Sequence, residues 1–389
     1  MKAAVLVAPG RMELRDVPVV PPGPAEVLLR VGAVGLCGTD FHIFAGHGNY
    51  HTDERGRIVP LEESPQILGH EFVGIVEEVG GHGDGLRPGD RVIVDQGRNC
   101  RSAGRPLCEY CATGDSHQCQ YYGEHGITGL PGALAEYITV PAVNALRVES
   151  LPMVDAALVE PLACVVHACD MVERANTRFR LRHENPAQEV RSILIFGAGP
   201  AGLLFTQYLR NALSFDGTII VAEPNAVKRA LAGRYGATTV DPAAVDLVEA
   251  VSELTKGRRV EYAIDAAGTG GVFVDLPRVL RKQGTVLLYG HGHHGVDLSV
   301  LNNLQFLEPS LIAPAGASGG FEPDGRPATH RRALGLVEAG RIDVSSFVTH
   351  RYRSLDEVPA AFSGVHRSPD YIKGVVELHA DATASAPES

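Results

Sequence analysis

Short apolar runs cut by glycine and proline fill the chain up to about residue 155. They include "AAVLV", "EVLLRVGAVG", "FVGIVEEVG" and "DRVIVD", separated by turns such as "PPGP" and "LRPGD". Runs of this length and composition predict strands, and their density predicts a twisted, mostly antiparallel, barrel-like domain. From about residue 155 the rhythm changes. The strand-like runs "SILIFG", "TIIVAE", "YAIDAAG" and "GTVLLYG" now alternate with helical segments. That alternation predicts a parallel sheet with helices on both faces. After about residue 310 loops return, then a helix "HRRALGLVEAG" and a strand "YIKGVVEL" that rejoin the first domain. The expected divisions are 1–158, 159–310, 311–380 and a small, polar, disordered tail at 381–389. No internal repeat is visible.

A length of 389 residues favours two domains. The formal charge of −11, from 35 basic and 46 acidic side chains, argues against binding a phosphate backbone. No apolar run approaches the roughly 18 residues of a membrane span. "MKAAVLVAPG" reads as a first strand rather than a signal peptide. Seven unevenly spaced cysteines do not form a secreted disulfide framework. The expected compartment is the cytoplasm, with no nucleic-acid or membrane partner.

"SILIFGAGPAGLL" carries G-x-G-x-x-G at Gly197, Gly199 and Gly202, with Pro200 opening the helix. It follows an apolar strand and precedes a helix, the context a dinucleotide turn requires. The glycines let the backbone approach a pyrophosphate, and the helix N-terminus presents N–H donors to it. The next strand ends at Glu223, where a carboxylate accepts from a ribose 2′-hydroxyl and repels a 2′-phosphate. The expected cofactor is therefore NAD rather than NADP. Lys228 and Arg229, on the following helix, read as surface charges.

Cys100, Cys108, Cys111 and Cys119 form C-x7-C-x2-C-x7-C in a polar loop, 98–120. The central C-x2-C fits a closed, four-thiolate structural zinc site. A nucleic-acid zinc module and a redox pair are the other readings. No recognition helix follows the lobe, and a redox pair leaves the outer cysteines without a role. A second constellation combines "GLCGTDFH", "LGHEFVG" and "LVEPLACVVHA". Cys37, His70 and Glu160 would offer sulfur, nitrogen and oxygen ligands and leave one position open, as catalytic zinc needs. Glu71 would be an intermittent ligand or a partner to one. Taken singly, His70 reads equally as a satisfied core histidine, and Glu160 as a helix cap.

Together with "PGDRV" and "GTVLLYG", these motifs make nearly the whole chain resemble the zinc-dependent medium-chain dehydrogenases of the alcohol, polyol and threonine dehydrogenase type. The resemblance implies an α/β protein. A GroES-like catalytic domain would be built from both chain ends, with a doubly wound Rossmann domain between them and the site in the cleft. It implies two zinc ions per chain, one catalytic and one structural, a small polar hydroxylated substrate, and a homodimer or homotetramer. It assigns zinc at Cys37, His70 and Glu160 to the substrate oxygen, with hydride passing to NAD. Thr39 would take the alcohol proton and His42 would deliver it to solvent; the other reading of His42 is a surface imidazole. Asp40 would orient its neighbours. A carboxylate at Glu160 points to the sugar, polyol and threonine branches, since simple alcohol dehydrogenases place cysteine there. Cys164 is a competing third ligand, and Cys169 an ordinary helix thiol.

The activity so implied is oxidation of a secondary hydroxyl of a sugar, polyol, cyclitol or hydroxy-amino acid to a ketone. Threonine 3-dehydrogenase-like and simple alcohol dehydrogenase activities are its neighbours. A zinc-free quinone or enone reductase and a non-catalytic NAD-binding protein are the rivals. Three stretches depart from the family pattern: "RSAGR" after Cys100, the long polar segment between His42 and His70, and "TRFRLRHENPAQEV" before the dinucleotide strand.

Overall fold

The computed structural model describes residues 1–379; the expected disordered tail, 381–389, lies outside them. The chain divides into two compact units. One comprises Met1–Ala163, Ala317–Gly340 and the chain from Val344 onward; the other comprises Cys164–Gly316 and Arg341–Asp343. The division after Ala163 falls inside the helix Val159–Arg174.

The first unit is built on strand Glu26–Leu36, which is buried along almost all its length. Its branched and apolar side chains suit a strand covered on both faces. One edge pairs antiparallel with Glu71–Val79. The other edge is shared: Tyr137–Pro141 pairs with residues 26–30, and Lys373–Glu377 with residues 33–36. The register shifts between Val31 and Ala33, around Gly32, where the strand changes partner. Val348–Tyr352 adds a parallel neighbour to Lys373–Glu377, so the late chain completes the sheet begun by the early chain. Arg91–Val94 and Ala145–Arg147 extend the sheet beyond Glu71–Val79. Lys2–Ala8 pairs with Arg11–Asp16 and Gln66–Ile67 in a small second sheet. Leu29, Leu36, Phe72, Leu134 and Phe362 lie at the centre of this unit's core.

The second unit is one six-stranded parallel sheet. Its order is Thr238–Val240, Thr218–Ala222, Ser192–Phe196, Val260–Asp265, Leu280–Leu288 and Ser310–Ile312. The first strand in sequence lies third, so the order reverses beside it. That reversal is the switch point where doubly wound sheets bind ligands. The strands Ser192–Phe196 and Val260–Asp265 are buried at every position because both faces are covered.

Two of the departing stretches are ordered turns. In the segment between His42 and His70, Asn49 Nδ2 donates to the Val59 carbonyl at 2.8 Å, and Asp53 accepts from the N–H groups of Arg55 and Arg57. Thr52 bridges Ile58 across the resulting loop. "TRFRLRHENPAQEV" is anchored at both ends by buried Phe179 and Val190, with Arg180 bridging Glu189. Among the described residues, no helix is long and apolar enough to cross a membrane.

Candidate active site and cofactor turn

Cys37 ends the central strand's run and caps the helix Gly38–Phe44. Asp40, fully buried in that helix's first turn, reaches back to the Cys37 N–H at 2.9 Å. Its other oxygen accepts from the Gly69 N–H at 3.2 Å and lies 3.4 Å from His70 Nδ1. One carboxylate thus joins "GLCGTDFH" to "LGHEFVG". Gly69 holds a φ of +93°, and a Cβ there would lie 2.9 Å from Val34, so only glycine makes this turn without strain. The turn delivers His70 and Glu71 beside Cys37, since Glu71 pairs with Gly35 across the sheet. A Cβ on Gly35 would fall 2.2 Å from a Glu71 oxygen; the glycine leaves room for the carboxylate.

The donor atoms of Cys37, His70 and Glu71 all lie within 4.8 Å of one another. A thiol, an imidazole and a carboxylate at that spacing suit zinc. His70 and Glu71 are buried. Burial opposes a charge on His70, but Asp40 and Cys37 outweigh it and hold its pKa above the ordinary value. Glu71 is paired with Lys373, whose Nζ lies 2.7 and 2.5 Å from the two carboxylate oxygens. Thr39 Oγ1 accepts from the Cys37 thiol at 3.8 Å. His42 is half-buried in the last turn of the same helix, its ring 6.3 Å from that of His47.

Glu160 takes a different place from the one expected. It is buried in the first turn of Val159–Arg174, yet its carboxylate is not in the 4.8 Å group. Its Oε1 accepts from Gln96 Nε2 at 2.6 Å, and the same amide donates to Glu124 at 3.0 Å. Leu158, two residues earlier, packs against Gly35. The sequence offers Glu160 as the third donor and Glu71 as an intermittent one; of the two, Glu71 lies in the 4.8 Å group. Sequence reasoning also missed Lys373 and Gln96. Lys373 had a signal: a lone cation in the apolar strand "YIKGVVEL" must find a buried partner.

The second donor group unites Cys100, Cys108, Cys111 and Cys119, again within 4.8 Å. Sγ of Cys119 is 3.5 Å from that of Cys100 and 3.9 Å from that of Cys108. Backbone N–H groups of Cys111 and Gln120 lower the Cys108 thiol to about 6, whereas burial raises Cys111 and Cys119. The inserted "RSAGR" does not displace Cys100. Asn99 Oδ1 accepts from the N–H groups of Arg101 and Ser102, and Arg105 N–H returns to the Cys100 carbonyl. The insertion is a closed turn.

In the second unit, Gly197 holds a φ of +95° directly after strand Ser192–Phe196. Gly199 caps the helix Pro200–Gln207, and Pro200 stands at its first position. A Cβ on Gly202 would lie 2.0 Å from the Gly197 carbonyl oxygen, so the helix can pack on the turn only with glycine there. A Cβ on Gly199 would meet nothing within 4 Å. That open space in front of a helix N-terminus fits a dinucleotide pyrophosphate. Glu223 is buried, and its oxygens accept from the N–H groups of Ala198, at 2.8 Å, and Asn225, at 2.9 Å. It braces the glycine turn. Arg229 is not the surface charge expected: it pairs with Asp241 at 2.8 Å and donates to the Glu223 carbonyl.

Residues 23–150 match the alcohol dehydrogenase GroES-like domain, and residues 200–327 match the zinc-binding dehydrogenase family. An L-threonine 3-dehydrogenase of Pyrococcus abyssi is 31% identical over 352 residues, 90% of each chain. An alcohol dehydrogenase of Cupriavidus necator is 32% identical over 378 residues, 93% of this chain and 94% of that one. A Sinorhizobium meliloti protein described as a zinc-binding dehydrogenase, solved bound to NADP, superposes with a TM-score of 0.78 at 31% identity. That alignment covers 97% of this chain and 98% of the other. With both domain matches in place and such identity across nine-tenths of its length, the chain belongs to the zinc-type medium-chain dehydrogenases.

Proposed function

We propose that the protein oxidises a secondary hydroxyl of a small polar substrate to a ketone, with zinc and NAD(P). The substrate would be a sugar, polyol, cyclitol or hydroxy-amino acid. The observation that carries this reading is the presence of two donor groups of different chemistry: the four-thiol cluster and the Cys37, His70, Glu71 trio. A metal-free reductase does not need such a trio.

Cys37 and His70 would hold the catalytic zinc, with Glu71 or Glu160 as the carboxylate ligand. The thiols of Cys100, Cys108, Cys111 and Cys119 would hold the structural zinc. When bound, zinc supplies a Lewis acid to the substrate oxygen, and the nicotinamide supplies a hydride acceptor. Asp40 fixes His70 and the Cys37 backbone, so the donors are in place before substrate arrives. Thr39, beside Cys37, takes the hydroxyl proton, and His42, one helical turn on, passes it outward. Gly197, Gly199, Pro200 and Gly202 receive the pyrophosphate. Glu223 supports NAD over NADP, because a carboxylate behind the turn repels a 2′-phosphate. The threonine dehydrogenase relatives support hydroxy-amino acids as the first substrates to try. Exposed Leu298, Phe306 and Leu311, around the edge strand Ser310–Ile312, support a homo-oligomer.

The test is zinc content by elemental analysis on wild type and Cys37→Ala, paired with NAD and NADP reduction over a panel of hydroxy-amino acids, polyols, sugars and cyclitols. The expected result is two zinc ions per chain, falling to one with turnover lost in the variant. One zinc in both proteins, or no reduction with any panel member, would overturn the proposal.

A further inference from the structure

The turn "HGHH", residues 291–294, plays no part in the reading above. It is held from below by one buried carboxylate. Strand Val260–Asp265 ends on Asp265, which is fully buried. Its Oδ1 accepts from the N–H groups of Ala267, at 3.1 Å, and Gly268, at 3.0 Å, and its Oδ2 lies 2.5 Å from His293 Nε2. Its carbonyl accepts from the N–H groups of Tyr289 and Gly290. Asp265 therefore ties the loop after its own strand to the loop after the neighbouring strand Leu280–Leu288.

Both loops lie at the C-terminal ends of adjacent parallel strands, next to the dinucleotide turn. The packing is backbone on backbone. A Cβ on Gly197 would lie 3.3 Å from Ala267 Cα, one on Gly268 would lie 2.4 Å from the His291 carbonyl oxygen, and one on Gly290 would lie 2.2 Å from Gly268 N. The glycine turn, the 266–268 loop and the histidine turn are thus three consecutive layers at one sheet edge.

The hydrogen bonds set the tautomer of His293. The Asp265 carboxylate already accepts from two backbone N–H groups and acts as an acceptor toward the ring as well, so Nε2 carries the ring hydrogen and Nδ1 is left as a lone-pair acceptor. The His293 side chain is 27% exposed, and among the described residues no donor meets Nδ1. The ring also meets Phe273 edge-on, with centroids 5.1 Å apart. It is an oriented acceptor facing outward beside the cofactor turn.

We propose that His293 is a cofactor-contacting residue, whose Nδ1 accepts a hydrogen bond from a ribose hydroxyl of the bound dinucleotide. This rests on the NAD(P) reading of the preceding section. A lone pair repels pyrophosphate oxygens, so the pyrophosphate is not its partner. The riboses flank the pyrophosphate and carry hydroxyl donors, which match both the chemistry and the place.

The test is titration with NADH and NADPH, followed by dinucleotide fluorescence on the purified, zinc-loaded protein. The chain has no tryptophan, which removes that background. His293→Gln keeps a polar group toward Asp265 and loses the Nδ1 acceptor. His293→Asn keeps a polar atom near the Nδ1 position. The expected result is a dissociation constant raised about three- to tenfold in His293→Gln, the size of one neutral hydrogen bond. His293→Asn should recover at least half of that loss, with both unfolding midpoints unchanged. His293→Ala, the second variant, should lose at least as much as His293→Gln. Wild-type affinity in His293→Gln or His293→Ala would overturn the assignment while leaving the NAD(P) reading intact. A wild type that binds neither dinucleotide would overturn both.

Discussion

The buried pair Lys373–Glu71 makes the sharpest prediction. Both side chains are at most 3% exposed, and Nζ sits 2.5–2.7 Å from the carboxylate oxygens. Burial alone would lower the pKa of the Lys373 ammonium. Glu71 and, less strongly, Cys37 outweigh burial and hold it above the ordinary lysine value. A raised lysine keeps its full contribution below the unfolded value and loses it only as pH rises through the folded one. The pair is therefore intact at neutral pH. Lys373→Met leaves Glu71 buried beside a thiol and a second carboxylate without its ammonium partner. Breaking one side of a buried pair costs about 3–5 kcal/mol. At about 2–4 °C per kcal/mol for a unit of this size, the unfolding midpoint should fall by roughly 6–20 °C. Replacing both partners, Lys373→Met with Glu71→Leu, removes the stranded charge and should restore most of the loss. Thermal unfolding by circular dichroism at pH 7.5 reads both variants. A fall under about 2 °C in Lys373→Met, or a double variant no better than the single, would show that the pair carries no such energy.

Three further outcomes follow from the same geometry. His330 is fully buried, neither ring nitrogen has a hydrogen-bond partner among the described residues, and burial lowers its pKa to about 4. The unfolded chain takes that proton near 6.5, so stability should fall by about 3 kcal/mol as pH drops from 6.5 to 4. His330→Leu should flatten that slope in denaturant titrations across the range; an unchanged slope would refute it. Gly202→Ala places a Cβ 2.0 Å from the Gly197 carbonyl, and should weaken dinucleotide binding at least about tenfold by opening the turn. Zinc content should be unaltered, and wild-type affinity would count against the turn as the cofactor site. Cys111→Ser should lose one zinc by elemental analysis and lower the unfolding midpoint while NADH binding persists, because a structural zinc contributes folding energy to its own lobe; retention of both zinc ions would remove Cys111 from the ligand set.

What the amino-acid string reveals and what it hides follow one physical line. The dinucleotide turn is legible because its constraints are local. Gly197 needs a positive φ and Gly202 needs an absent Cβ, both within six residues. The four-cysteine lobe is legible for the same reason, even with an insertion that the Asn99 turn closes on itself. The parallel sheet shows as buried apolar runs that need no partner to be recognised. The choice between Glu71 and Glu160 is different in kind. It depends on a strand register that sets Glu71 opposite Gly35, and on an amide from Gln96 that engages Glu160. Neither can be read from spacing, because both are fixed by pairing between distant segments. Arg229 misleads likewise: its helix position reads as surface until Asp241 is folded against it. Lys373 is the instructive case, since it lies 302 residues from Glu71 yet advertises itself. It follows buried Tyr371 and Ile372 and precedes buried Val375 and Val376. A cation in such a strand cannot remain unpaired, so it implies a buried carboxylate on whatever strand lies near it. The strand beside it runs into Cys37, and the next one opens on Glu71 directly after His70. Lys373 thus points to Glu71 as the carboxylate beside Cys37, from the far end of the chain.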